Sequence, residues 1–318
     1  MTARPIALRT AFEAAAATYD SAAVLARETG ARMDERLSLT KIQPRRIADI
    51  GCATGDGIRA LQLRYPAAQA VAIDYAMPML RTVGARSGRI ARLMRKIPQL
   101  VCADAAALPL ATESVGLVWS NLMLHWLDDP LPALRELHRV LEVGGLVMFT
   151  MLGPDTLKEI RAAASSVGAD DTPIRTHAEG ADTFPHPQGE GSWERVGDEC
   201  NTSPSTIRNF IDMHDIGDML MAAGFADPVM DMEMITVTYS NPRKFLADQR
   251  HLGVRNDLLG QQAWHVWRRI LGDWQANADG NFPASFEIVY GHAWKPAARQ
   301  AKGEHSVIHF HRRDKTKI

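Results

Sequence analysis

The chain has 318 residues, 46% of them hydrophobic and 23% charged, with a formal net charge of −1. That is the make-up of a globular protein with room for one large α/β domain. It lacks the global positive field that draws a chain to nucleic acid or an anionic membrane. No apolar run approaches the roughly 18 residues of a spanning helix. The three cysteines, Cys52, Cys102 and Cys200, are scattered and odd in number, which argues against a disulfide framework and fits a reducing cytoplasmic setting.

The alanine-rich stretch around Phe12 to Asp20 predicts an amphipathic opening helix within an N-terminal region, 1–45; Glu13, Asp20 and Glu28 set it apart from a transit peptide. A strand is expected over 46–50, followed by a glycine-rich turn and a helix over 58–65. Further strands are expected over 70–74, 100–103, 115–120 and 146–151, with helices over 78–95 and 130–141 between them. Strict alternation of strand and helix predicts an α/β fold, Rossmann-like, with a mostly parallel sheet covered on both faces. The core is placed at 46–152. Beyond it the alternation breaks. A helix over 155–166 opens a cap, 153–228, and the Gly-, Pro- and Ser-rich segment 168–205 reads as a long insertion. A helix over 215–223 ends before Gly224. In the last region, 229–318, strands over 229–239 and 286–293 are expected to complete the sheet as an antiparallel edge. A helix is expected over 258–274, and 312–317 reads as a frayed tail.

The turn after the first strand reads Asp49-Ile50-Gly51-Cys52-Ala53-Thr54-Gly55-Asp56-Gly57. Glycines there let a ligand approach the backbone. Their spacing is not the G-x-G-x-x-G of dinucleotide sites. It does match the spacing of short-chain dehydrogenases, yet none of the five tyrosines has a lysine four residues on. A carboxylate at Asp49 would repel a phosphate and suits a cation. S-adenosyl-L-methionine carries a sulfonium and an ammonium and no phosphate, so the turn looks like the first motif of class I methyltransferases.

In open sheets of this kind the ligand sits outside the carboxyl ends of the strands. Asp49, Asp74, Asp104 and Asn121 fall at four such ends. Asp49 and the backbone of Gly51, Cys52 and Gly55 are assigned to the methionine part of the cofactor. Asp74 offers two acceptor oxygens to ribose hydroxyls. Asp104, with Ala105, sits where the adenine amino group needs an acceptor, and Asn121 closes the pocket near the methyl group. His125 and Trp126 are placed on the acceptor side. His309 and His311 share a strand face without a third ligand, so no metal is expected.

Longer segments carry a resemblance. They are Phe12 to Asp20, Ser120-Asn121-Leu122-Met123-Leu124-His125-Trp126, Leu152-Gly153-Pro154-Asp155-Thr156-Leu157-Lys158-Glu159-Ile160-Arg161, Asp212 to Leu220, and Ala223-Gly224-Phe225-Ala226-Asp227-Pro228-Val229-Met230-Asp231. Together they resemble the malonyl-[acyl-carrier protein] O-methyltransferase family of biotin synthesis over nearly the whole chain, the segment 168–205 excepted. The same segments are similar to a mitochondrial assembly factor that keeps the fold and is associated with arginine hydroxylation. A methyltransferase of another small molecule, of the quinone-precursor type, is the remaining alternative. The first resemblance implies methyl transfer to the carboxyl of a malonyl thioester, on an acyl carrier protein or on coenzyme A. A carboxylate acceptor needs no general base, only a cation to orient it. Arg161 is the candidate, ahead of Arg208, Arg243 and Arg250, and Tyr19 is expected to fold over the cofactor from the lid. Arg86, Arg89, Arg92 and Arg95, with Arg81 and Lys96 nearby, form a basic stripe suited to an acidic carrier protein.

Overall fold

The computed structural model describes residues 3–86, 97–170 and 207–297. Seven strands form one sheet in the order β3-β2-β1-β4-β5-β7-β6. These are β1 Arg46–Ile50, β2 Gln69–Asp74, β3 Gln99–Cys102, β4 Val115–Asn121, β5 Leu141–Leu152, β6 Ala226–Tyr239 and β7 Phe282–Trp294. The first five pair in parallel. β7 runs antiparallel to both β5 and β6, which is the expected edge.

The helices are α1 Ala3–Ala15, α2 Tyr19–Ala22, α3 Val24–Leu37, α4 Asp56–Arg64, α5 Met77–Arg86, α6 Leu131–Val140, α7 Lys158–Asp170, α8 Met213–Ala222, α9 Pro242–His251, α10 Arg255–Leu259 and α11 Trp264–Asp273. The inner strands are apolar on both faces because both faces are covered, as parallel sheets require. On one side Ile47, Leu117, Leu146 and Ile288 meet Met33 and Leu37 of α3, Ile58 and Leu61 of α4, and Ile160 and Trp267 from α7 and α11. On the other, Ala48, Val118, Val147 and Val289 meet Leu134 and Leu137 of α6 and Ile216 and Leu220 of α8.

Several boundaries differ from the expectation. The helix read over 78–95 is described only as α5; Arg89, Arg92, Arg95 and Lys96 lie outside the described residues, as do Cys200, His309, His311, the tail and nearly all of 168–205. The helix read over 258–274 is two, because the chain turns at Gly260 (φ +68) between α10 and α11. α9 was not anticipated. Its start is nonetheless written in the sequence: Pro242 is the first helical residue, and the Asn241 side chain accepts the Arg243 N–H at 2.9 Å. Among the described residues no helix is long and apolar enough to cross a membrane.

In the β5–β7 pair Phe149 lies opposite Gly291. A Cβ added at Gly291 would lie 2.2 Å from Phe149 Cζ. Gly291→Ala should therefore overpack the sheet and destabilise the protein by about 1–3 kcal/mol. A lowered denaturant midpoint with unchanged slope is the expected reading; an unchanged midpoint would show that the Phe149 ring swings aside at no cost.

Candidate functional site

The turn after β1 is held open by its neighbour strand. The N–H groups of Gly51 and Cys52 both donate to Ile73 O, at 2.8 and 3.0 Å. The Ala53 N–H donates to Asp74 Oδ2 at 2.9 Å, and the Ala76 N–H to Asp74 Oδ1 at 2.8 Å. Gly51 takes φ +74, and a Cβ there would stand 2.4 Å from Met123 Cγ, so only glycine lets the β1 and β4 turns meet. Asp74 is buried, which raises its carboxyl above the usual range. Asp104 is exposed and accepts the Ala106 N–H on Oδ1 at 2.9 Å.

These strand ends line a cavity of about 320 Å³. Its wall includes Gly51, Ala53, Asp74, Asp104, Ala105 and Asn121, together with Tyr19, Leu122, Met123, His125 and Trp126. Most of the remaining lining is apolar side chain from α1, the lid segment and the C-terminal half. Burial pushes the Tyr19 phenol well above its ordinary value, which keeps it protonated. Among the described residues no three His, Cys, Asp or Glu side chains could hold a metal.

Two sets of contacts close the cavity with the lid. The Thr54 hydroxyl donates to Asp20 Oδ1 at 2.6 Å, and Arg86 pairs with Asp20 and with Asp56. Arg86 thus belongs to this latch rather than to an open basic stripe, whereas Arg81 is exposed. Asn121 Nδ2 donates to Ala26 O at 2.8 Å, while its Oδ1 accepts from Thr29 at 2.9 Å and Thr150 at 2.6 Å.

Three of the residues assigned to the cofactor sit beneath the wall. Asp49 is 2% exposed, and its carboxylate accepts the backbone N–H of Ile58 under the start of α4. The Cys52 side chain is in the core, and Gly55 caps α4 against Val83. They shape the loop from below, Asp49 on β1 and the other two in the turn that follows it. Arg161 is also elsewhere. Its Nε donates to Thr156 O at 3.0 Å, and its Nη atoms donate to Ile207 O, Arg208 O and Asn209 Oδ1. With its donors on these acceptors and its side chain outside the cavity wall, it ties α7 to the strand of chain entering at 207–209. The expected acceptor clamp does not lie there.

His125 is 3% exposed, and burial takes it from 6.5 to about 3, so it is neutral. Its Nδ1 accepts the Leu152 N–H at 3.4 Å, which leaves the proton on Nε2. His125 also faces a second, larger cavity of about 1120 Å³ that sequence reasoning missed. This one is lined by Thr18, Arg208, Phe210, Arg250, His251 and Arg255 among others, and it shares Arg4, His125, Leu127 and Asp128 with the first. It forms between α1, α9, α10 and the segment after 207, a meeting of distant pieces that no local motif announces.

Residues 48–149 match the family described as a methyltransferase domain. A malonyl-[acyl-carrier protein] O-methyltransferase of Gallionella capsiferriformans is 43% identical over 308 residues, covering 95% of this chain and 94% of that protein. Another, of Laribacter hongkongensis, is 42% identical over 318 residues, covering 96% and 95%. Among solved structures, the YcgJ protein from Bacillus subtilis superposes with a TM-score of 0.52 at 13% identity, covering 84% of this chain and 98% of that one, which supports the fold.

Burial raises the Asp49 carboxyl from 3.8 to about 8. Between those values the folded chain holds a proton that the unfolded chain has lost, so Asp49 lowers stability as pH rises, by up to about 1.4 kcal/mol per pH unit. His125, depressed to about 3, runs the other way between about 3 and 6.5. Above about pH 6.5 the His125 contribution has ended, while that of Asp49 continues to about pH 8. Asp49→Asn should flatten the fall in stability across that window, followed by urea unfolding of the cofactor-free protein. An equal fall in both proteins would place the titrating group elsewhere.

Proposed function

The chain belongs to the malonyl-[acyl-carrier protein] O-methyltransferase family, and from that premise we propose that it methylates the free carboxyl of malonyl-acyl carrier protein, for biotin synthesis, with S-adenosyl-L-methionine as its cofactor. The observation that carries the reading is the pair of carboxylates, Asp74 and Asp104, on the wall of an otherwise mainly apolar cavity roofed by the lid. When bound there, the cofactor supplies an electrophilic methyl group on a positively charged sulfur.

The residues fit such a group. The Asp74 carboxyl accepts backbone N–H groups from Ala53, Ala76 and Tyr75, and of the roughly four acceptor positions on its two oxygens this leaves room for a ribose hydroxyl. Asp104 Oδ2 is available to the adenine amino group, beside Ala105. Gly51 and Ala53 would bring backbone against the ligand, and the apolar lining would suit the base. Tyr19, protonated and set on the lid, covers the cavity with a hydroxyl donor. Asn121 serves the site indirectly, through the lid contacts that use its amide.

The acceptor is an anion at neutral pH, since a carboxyl group ionises at about 3–4, and its oxygen is already nucleophilic. No proton has to be removed. His125 suits that requirement: at about 3 it does not take a proton, and its Nε2–H is a donor at the junction of the two cavities. What the protein supplies is position, an orienting charge and exclusion of water. Trp126 packs on His125 with ring centroids 4.5 Å apart and holds that imidazole in place.

The test is a methyl-transfer assay offering malonyl-, succinyl- and acetyl-carrier protein, with malonyl-coenzyme A beside them. Turnover of the malonyl carrier and none of the acetyl carrier is expected. A protein that methylates only other small molecules, or nothing at all, would replace this reading with one of its rivals. Asp74→Ala should weaken S-adenosylhomocysteine binding by about 5- to 150-fold, from the loss of hydrogen bonds to a charged acceptor. Unchanged affinity by calorimetry would remove Asp74 from the ribose site.

A further inference from the structure

We propose that the second cavity is the acyl-acceptor site and that Arg208 receives the acceptor's carboxylate; this rests on the methyl-transfer reading above and names the cation it requires. Arg208 lies in the second cavity's wall with a side chain only 12% exposed. Its backbone is fixed on both sides. The Arg208 N–H donates to Leu258 O at 2.8 Å, and its carbonyl accepts from the Arg161 guanidinium. Arg161 is thereby a positioning residue, one step removed from the acceptor.

The Arg208 guanidinium has donors to spare. Nη2 donates to Leu127 O at 3.1 Å, but Nε and Nη1 are buried with no hydrogen-bond partner among the described residues. Asp128 and Asp257 stand 3.9 Å from Nη2 and Nη1, which makes loose ion pairs but is beyond hydrogen-bond length. Both of those carboxylates are hydrogen-bonded by Arg4 of α1 instead. Buried N–H groups without a hydrogen-bond acceptor are costly on a guanidinium, even one with carboxylates nearby, and they leave it able to take a further acceptor.

The location fits an acceptor. The guanidinium carbon sits 5.9 Å from the Trp126 ring centre, and Trp126 packs on His125. His125, Leu127 and Asp128 form the stretch of wall that the two cavities share. A carboxylate drawn to Arg208 past Trp126 is delivered to that junction, where the first cavity begins. The chemical class is thus an acyl thioester whose far end is an anion. A neutral acetyl group gives Arg208 nothing to hold, and the methyl ester made by the reaction has lost the charge that held its precursor.

The last point supplies a test that a purely structural arginine would not answer. Binding of malonyl-carrier protein and of its monomethyl ester is compared at equilibrium, with S-adenosylhomocysteine in the cofactor site. The wild-type protein should prefer the free acid by about 10- to 150-fold. Arg208→Gln should bind both alike, lose a similar factor in kcat/KM and keep its affinity for S-adenosylhomocysteine. Arg208→Lys keeps the charge without the planar fork, and its preference should fall between those two; it carries the test if Arg208→Gln does not fold. A wild-type preference in either variant overturns the clamp. Absence of any methyl transfer to the malonyl carrier by the wild-type protein overturns the underlying function as well, so the two failures are separable.

Discussion

One side-chain amide governs how this molecule closes. Asn121, at the end of β4, gives its N–H to the lid helix α3 at Ala26 and takes hydroxyl donors from Thr29 of the same helix and Thr150 of β5. A strand end at the middle of a parallel sheet is the point where neighbouring chain directions diverge, and here a polar group spans the divergence. The lid, the sheet and the cavity wall share these three bonds. Because the site is largely buried, each bond counts for more than it would in water, and each unmade bond costs more. The Asp20 contacts with Thr54 and Arg86 repeat the device on the other flank of the cavity.

The layout of the first half was legible because its signals are local. Apolar runs ending in Asp74 or Asn121 give a strand and its polar tip in one glance, and the glycines of 51–57 mark the turn. Local signals do not report direction within a buried loop. Asp49 looks like a ligand residue in the sequence, yet inner-strand packing turns it under α4. In the sequence Arg161 reads as the clamp because it is a fork-shaped cation in the segment just after β5. Its guanidinium is instead drawn to the carbonyls of 207 and 208, which lie more than forty residues on and leave no mark near it. The second cavity was invisible for the same reason, being made from α1, α9, α10 and the chain after 207.

The electrostatics of the site are those of a reaction that moves no proton on the protein. Burial holds Tyr19 protonated, His125 neutral and the Asp49 and Asp74 carboxyls above their ordinary range. Each shift suppresses charge, which leaves the interior receptive to the charges that cofactor and acceptor bring. A site built for acid–base work would instead place one group near neutrality against a partner that it could exchange with. Here Asp49, pushed up to about 8, faces a backbone N–H beneath the loop.

The position of β7 has a consequence for how the chain is made. It is the last of the described strands in sequence, yet it lies inside the sheet, with β5 on one side and β6 on the other. Among the described residues β6 has no other neighbour. As synthesis proceeds from one end, β6 emerges with its hydrogen-bonding edge unmatched, and it stays so until residue 294 has followed. An open edge of fourteen residues is long for a nascent protein to leave unguarded. The alternating Met232 and Met234 on that strand remain exposed even in the finished sheet, which adds adhesive surface to the waiting edge. The interval between the two strands, in which α9, α10 and α11 are produced, is therefore the stretch of translation during which that edge stands open.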